Sequence, residues 1–205
     1  MRRRFVRAAI VFVLAALVFS LSDRQAGAYI SNPVTMKSVL AQTQMIFTAK
    51  VETFDPEKRT ATLTVDEHLK GKVPFKKLSM ALEADKEGAR EYNRPSHLLK
   101  RLAVKQTVVI FADNKEGAFA PIRRGNLLIF LYTNGTWVQF AAETTEDGPA
   151  DLSLKFHHFE PYLQRTFKGT TEDMRQVIVD GLSGKKDPPP DNPKEPGGLG
   201  PEIKR

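Results

Sequence analysis

The chain has 205 residues, of which 41% are hydrophobic, and it carries a formal net charge of +7 without a single cysteine. This length is enough for one domain of ordinary size, with little left for a second. The lack of cysteine excludes disulfides, thiolate metal sites, cysteine nucleophiles and lipid anchoring through an N-terminal cysteine.

Residues 1–28 have the three parts of a secretory signal peptide. A cationic start precedes an apolar stretch at residues 8–21, and Ala26-Gly27-Ala28 supplies the small residues that a signal peptidase recognises. We expect cleavage after Ala28, export to the periplasm or the extracellular space, and no transmembrane span in the mature chain. An uncleaved N-terminal anchor is the alternative. The stretch Arg2-Arg3-Arg4-Phe5-Val6-Arg7 also resembles a twin-arginine signal, so the export route stays open.

Removal of this signal changes the charge of the protein. Residues 1–28 contain five arginines and one aspartate, which account for four of the seven net positive charges. The mature chain is therefore close to neutral, and the argument for polyanion binding from net charge disappears. Export without cysteine is typical of a bacterial envelope or extracellular protein.

The mature chain begins with a predicted helix and a predicted β-hairpin. Asn32-Pro33 pairs an N-cap residue with proline at the first helical position, which predicts a helix running to about Gln44. Residues 45–54 and 59–69 alternate between apolar and polar side chains and predict two strands joined by a tight turn. In the second strand, Leu63 and Val65 are expected to face the interior.

The middle of the chain predicts further strands and one short helix. Asn134-Gly135 lies between two apolar stretches and predicts a two-residue hairpin turn. A short helix is expected to begin at Pro95. The predicted strands are residues 75–82, 106–113, 127–132, 136–142 and 152–156.

Two helices are predicted to close the domain before a proline-rich tail. Phe159, Leu163 and Phe167 recur every four residues, and Thr170 with Asp173 has the pattern of a capping box at the start of a second helix. Residues 185–205 contain six prolines and three glycines, too many for a packed core. We predict a disordered Pro/Gly-rich tail that acts as a spacer or, alternatively, as a short recognition segment.

The order of these elements predicts the fold class. A helix between the third and fourth strands is the arrangement of the OB-fold, a five-stranded Greek-key barrel. We therefore predict a mainly β protein with flanking helices. Residues 29–184 would form a single OB-like Greek-key β-barrel of five or six strands, with an N-terminal helix and two C-terminal helices. Residues 1–28 would be the signal peptide and residues 185–205 the tail.

Several segments resemble secreted bacterial proteins of the planctomycete type. Residues 39–51 are similar to their helix end and first barrel strand, with Ala49 where glycine is usual, and residues 63–74 resemble their second strand and Leu-Lys-Gly turn. The strand at 106–111 and the tail are similar as well. The resemblance implies an OB-like barrel distantly similar to netrin and metalloproteinase-inhibitor modules, which are binding domains. It transfers no catalytic residue, and the cysteine-dependent inhibition of those modules does not carry over.

A search for catalytic motifs finds none. The chain contains no H-E-x-x-H, G-x-S-x-G, P-loop or dinucleotide fingerprint. His157 and His158 lie near Glu160, but adjacent residues on a strand point to opposite faces, so they would not readily share a metal ion. Asp66 and His68 would share a strand face about 7 Å apart, as expected for a charged outer face. We therefore predict no enzyme and no catalytic, cofactor or metal site.

These observations lead to one principal hypothesis about function and two alternatives. The principal hypothesis is an exported, non-enzymatic binding or scaffolding module whose partner is an envelope protein or a glycan. The first alternative is a metal-dependent or other hydrolase using His157 or His158 with nearby carboxylates. The second is an OB protein that binds a polyanion or oligonucleotide. Such a protein needs exposed aromatic side chains among basic residues, whereas Phe47 is expected in the core, so no nucleic-acid partner is expected. The sequence does not predict the oligomeric state.

Overall fold

The computed structural model describes residues 35–83, 95–114, 127–142, 152–160 and 163–192. The predicted signal peptide lies outside these residues. The strands are β1 (Met45–Asp55), β2 (Thr60–Lys70), β3 (Lys77–Ala81), β4 (Thr107–Asn114), β5 (Leu127–Thr133), β6 (Thr136–Ala142) and β7 (Leu152–Phe159). The helices are α1 (Met36–Gln42), α2 (Ser96–Leu99), α3 (Leu163–Thr166) and α4 (Thr171–Leu182). Within the described part of the chain, no helix is long and apolar enough to cross a membrane.

The seven described strands form a closed barrel in the order β1-β2-β3-β7-β6-β5-β4. Neighbouring strands are antiparallel except β3 and β7, which are parallel, and β4 pairs with β1 to close the wall. The prediction of a mainly β barrel with a few helices is confirmed. The predicted count of five or six strands is wrong, because β5, β6 and β7 all belong to the wall. The β5–β6 hairpin buries side chains on both of its faces, which places it between packed layers.

Two hydrophobic clusters account for the burial of apolar residues. The first fills the barrel and contains Phe47 and Leu63, with Val65 partly buried against it. The second lies between the outer wall of the barrel and the helices, and it joins Trp137 on β6 to Met174 on α4. The predicted inward orientation of Leu63 and Val65 is therefore confirmed. It follows from the two-residue period of β2, whose alternate side chains point to opposite faces.

Local turn chemistry explains the two tight hairpins. Asn134 and Gly135 both have positive φ angles, 42° and 79°, as a type I′ turn requires. In the β1–β2 connection, the Asp55 carboxylate accepts hydrogen bonds from the backbone N–H groups of Glu57 and Lys58 at 3.0 and 2.9 Å. A tight turn was predicted at both positions.

The helices confirm one N-cap prediction, correct a second N-cap prediction, and correct the start of one predicted helix. Thr170 and Asp173 form the predicted capping box of α4. The N-cap of α1 is Thr35 rather than Asn32, and its hydroxyl accepts from the Ser38 N–H. The helix predicted from Phe159 is wrong at its start, because Phe159 belongs to the barrel core and ends β7, so α3 is a single turn.

A buried tyrosine fastens the helical layer to the barrel. The Tyr132 hydroxyl accepts hydrogen bonds from the N–H groups of Gly169 and Gly135 at 2.8 and 3.0 Å, and donates to the Gly169 carbonyl at 2.6 Å. Trp137 Nε1 donates to the Phe167 carbonyl at 3.1 Å. Burial raises the pKa of Tyr132 to about 12. These contacts fix the segment between α3 and α4 against the β5–β6 turn.

Candidate binding surfaces

Four hydroxyl side chains align across the outer wall of the barrel. Strand register places Thr53 opposite Thr62, Thr62 opposite Ser79, and Ser79 opposite Ser153. Neighbouring strands lie about 4.8 Å apart, so this hydroxyl row spans roughly 14 Å over β1, β2, β3 and β7. Thr62 is half-buried and the other three residues are exposed. The row is outward-facing because the alternate residues of the same strands fill the core.

The hydroxyl row has spare hydrogen-bonding capacity. None of its four side chains has a hydrogen-bond partner among the residues that the structure describes. Each hydroxyl can donate one hydrogen bond and accept two. The row therefore presents a line of donors and acceptors to any polar ligand that lies along it.

Neutralised charges border the hydroxyl row on one side. Lys77 Nζ lies 3.1 Å from Glu52 Oε2, which also accepts from the Thr64 hydroxyl at 2.9 Å. The hydrogen bonds from Lys77 and Thr64 lower the pKa of Glu52. Lys50 Nζ lies 2.9 Å from Asp66 Oδ1. Each lysine on this border thus has a carboxylate partner, so the border carries charge without a net excess of either sign.

The two neighbouring histidines lie together, contrary to the sequence prediction. β7 carries a register shift opposite Gln139 and Phe140, so that His158 pairs with Gln139 while Phe156 pairs with Phe140. The extra residue, His157, turns to the same side as His158, and their ring centroids are 4.6 Å apart. The expectation that the two rings point to opposite faces is wrong because a β-bulge breaks the alternation.

The histidine pair has one described carboxylate neighbour. His158 Nε2 lies 3.1 Å from Glu160 Oε2, and both side chains are largely buried. Among the described residues, no group of three or more histidine, aspartate or glutamate side chains could hold a metal ion. Asp66 accepts a hydrogen bond from Lys50, and both Asp66 and His68 are exposed on β2.

The start of the proline-rich segment forms a second surface. Residues 187–192, here called the strap, lie against α1, α3 and α4. Asp187 pairs with Lys37 of α1 at 3.3 Å, and the Asn192 N–H donates to the Arg165 carbonyl at 3.0 Å. The remainder of the predicted disordered tail, residues 193–205, lies outside the described residues.

Two hollows flank the strap. The larger, about 380 Å³, lies between the strap and α4 and has Phe167, Val177 and Pro188 among its lining residues. The smaller, about 220 Å³, lies on the α3 side of the strap and shares Phe167 and Pro189 with the first. Sequence analysis missed this surface because nothing in the local pattern says where a proline-rich segment docks.

No protein-family model matches the chain, and no curated protein and no solved structure matches it significantly. The functional interpretation therefore depends on the geometry of these surfaces.

Proposed function

We propose that the protein is an exported, non-enzymatic binding module with an OB-like barrel, and that its hydroxyl row binds a neutral glycan of the cell envelope. The observation that carries this proposal is the alignment of Thr53, Thr62, Ser79 and Ser153 with no side-chain partner among the described residues. A glycan presents hydroxyl groups that both donate and accept, which matches a surface of the same chemistry. Export is inferred from the signal-like residues 1–28.

The position of the row supports the OB-like interpretation. OB-folds bind oligosaccharides and oligonucleotides on the face of strands 2 and 3, and the central hydroxyls of the row lie on β2 and β3. The helix α2 between β3 and β4 follows the OB order. In this interpretation the β5–β6 hairpin is an addition to the five-stranded plan, which accounts for the larger barrel.

The charges and aromatic residues near the row favour a neutral ligand over a nucleic acid. Single-stranded nucleic acids bind where exposed aromatic side chains alternate with available cations. Phe47 and Phe75 are instead buried and contact each other, with ring centroids 5.8 Å apart. Lys50 and Lys77 are each paired with a carboxylate.

Binding of the purified chain to three neutral glycans, namely chitin oligosaccharides, cello-oligosaccharides and dextran, tests the proposal. The double variant Thr62→Val/Ser79→Ala removes the two central hydroxyls and keeps the shape of the wall. At about 1 kcal/mol for each lost hydrogen bond, binding should weaken roughly 30-fold. Gln139→Leu is the matched control, because it removes a polar side chain from β6, across the barrel from β2.

Two results would overturn the proposal. One is unchanged binding by the double variant, which would place the ligand elsewhere. The other is a failure of the wild-type protein to bind any of the three glycans, provided that cooperative unfolding shows that the protein is folded. Retention on single-stranded DNA that weakens with salt would instead favour the polyanion alternative, because phosphate contacts release counterions.

A further inference from the structure

We propose that α1, α4 and Phe167 form a second binding site, specific for an extended proline-containing segment, and that the strap occupies this site in cis. This site lies on the helical layer and is independent of the hydroxyl row. Three features of the described residues carry the inference: a close-fitting contact at a glycine, anchors at both ends of the strap, and an apolar hollow that the strap only partly fills.

Gly181 makes the close-fitting contact. It lies in the last turn of α4, and a β-carbon there would stand 3.0 Å from Pro188 Cγ and 2.8 Å from Leu40 Cδ1. Glycine is unfavourable in a helix relative to alanine. Its φ is not in the left-handed region, so a turn does not require it. The close approach of Pro188 and Leu40 to the helix backbone leaves little room for a larger side chain at this position.

The strap has the chemistry of a recognition segment. Pro188, Pro189 and Pro190 lack backbone N–H groups, so they cannot extend a sheet or a helix. Consecutive prolines favour the polyproline II conformation, which loses little entropy when it binds. Such segments dock on apolar and aromatic surfaces, here supplied by Phe167 and Val177.

The strap is held at its first end by a weak contact. Its first anchor joins two exposed side chains, Lys37 and Asp187, which are 76% and 87% accessible, and ion pairs of this kind contribute little. Its second anchor includes the backbone hydrogen bond that the Asn192 N–H donates to the Arg165 carbonyl. The adjoining 380 Å³ hollow leaves part of the apolar lining without protein contact. A proline segment added in trans can therefore compete once the strap is weakened.

A peptide-binding experiment on the full chain tests this site. A fluorescently labelled peptide with the sequence of residues 185–192 is titrated into wild type and into a variant with Pro188→Ser, Pro189→Ser and Pro190→Ser. We expect the variant to bind the peptide at least ~10-fold more tightly than wild type, because its own strap competes less. Adding Gly181→Val to the variant should abolish this gain. Glu172→Val, which places the same side chain elsewhere on α4, should leave it unchanged.

Protease sensitivity gives a second readout that does not depend on the peptide. Lys185 and Lys186 precede the strap, so release of the strap should speed tryptic cleavage there. We expect the triple serine variant to be cut faster than wild type, with the urea midpoint of the barrel unchanged. This measurement keeps the test valid if Gly181→Val disturbs the contact with Leu40.

Three outcomes would overturn the inference. Equal peptide binding by wild type and both variants would show that no proline site exists. Unchanged cleavage in the triple serine variant would show that the prolines do not hold the strap. A wild-type dimer that dissociates when Gly181 is replaced would assign the strap to a second copy instead of the same chain. Failure of glycan binding would leave all three measurements unaffected, because the two surfaces share no residue.

Discussion

Replacement of Tyr132 by phenylalanine isolates the contribution of one buried hydroxyl. The phenol oxygen takes part in three hydrogen bonds, two with Gly169 and one with Gly135. The ring packs edge-on against Trp137 and Phe167, with centroid distances of 4.9 and 5.6 Å. Phenylalanine keeps both ring contacts and leaves the three backbone groups without their partner.

The expected loss of stability follows from these contacts. A hydrogen bond contributes about 1 kcal/mol net, and a buried group left unsatisfied costs about 1–3 kcal/mol. Gly135 and Gly169 are half-buried, so water can reach part of the vacated site. We therefore expect Tyr132→Phe to lower the free energy of unfolding by about 2–3 kcal/mol. For a protein of this size, the melting temperature should fall by roughly 5–10 °C.

Urea unfolding followed by tryptophan fluorescence measures this loss directly. Trp137 is the sole tryptophan of the chain and is fully buried beside Tyr132. Gln139→Leu, an outward-facing change on β6, serves as the control and should alter stability by less than about 0.5 kcal/mol. The reasoning would be refuted if Tyr132→Phe lowered the free energy of unfolding by less than about 0.5 kcal/mol while the dependence of that free energy on urea concentration stayed unchanged.

The pH dependence of the same variant supplies an independent check. Burial raises the pKa of Tyr132 from 10.0 to about 12, so the folded protein disfavours the phenolate. The stabilisation is complete below pH 10, where the unfolded tyrosine is neutral, and disappears as the pH rises through 12. Two pKa units correspond to roughly 3 kcal/mol. The stability difference between wild type and Tyr132→Phe should therefore shrink by about that amount between pH 10 and pH 12, and a constant difference would contradict the assignment.

Four further predictions follow from the described contacts and from the signal-like N-terminus. Gly71→Ala should cost about 2 kcal/mol or more in urea unfolding, because Gly71 has a φ of +64° and a β-carbon there would lie 2.5 Å from the Gln44 carbonyl oxygen; a neutral effect would contradict the close approach. Hydrogen bonds from Thr170 lower the pKa of Asp173, so its stabilising contribution is present above pH 3.8 and is lost as the pH falls through its folded value. The free energy of unfolding of Asp173→Ala should therefore fall less steeply than that of wild type as the pH is lowered below 3.8. An equally steep fall in both proteins would argue against the capping box. Chelation should leave the melting temperature unchanged, whereas a stoichiometric metal found by elemental analysis would revive the hydrolase alternative. N-terminal sequencing of exported protein should begin at Tyr29, and recovery of the intact N-terminus would favour the uncleaved anchor.

Local sequence patterns predicted those parts of the fold that depend on neighbouring residues. The two-residue period of β2 placed Leu63 in the core, and Asn134-Gly135 supplied the positive φ angles of a hairpin turn. Thr170 with Asp173 likewise marked the start of α4. Each of these features is decided within a few residues along the chain, by backbone sterics, side-chain alternation or hydrogen bonds to the nearest peptide groups.

Contacts between distant segments decided the candidate binding surfaces. The Thr-x-Thr-x-Thr pattern of residues 60–64 indicates an outward-facing row, but only register brings Ser79 and Ser153 into line with Thr62. The bulge at His157 depends on how β7 fits against β6, and the alternation rule therefore failed there. The position of Pro188 depends on Gly181 and on helix packing. Strand register, the bulge in β7 and the docking of the strap depend on how distant segments bury their apolar surface together. Side-chain alternation and turn chemistry act only between neighbouring residues, so they do not predict these three features.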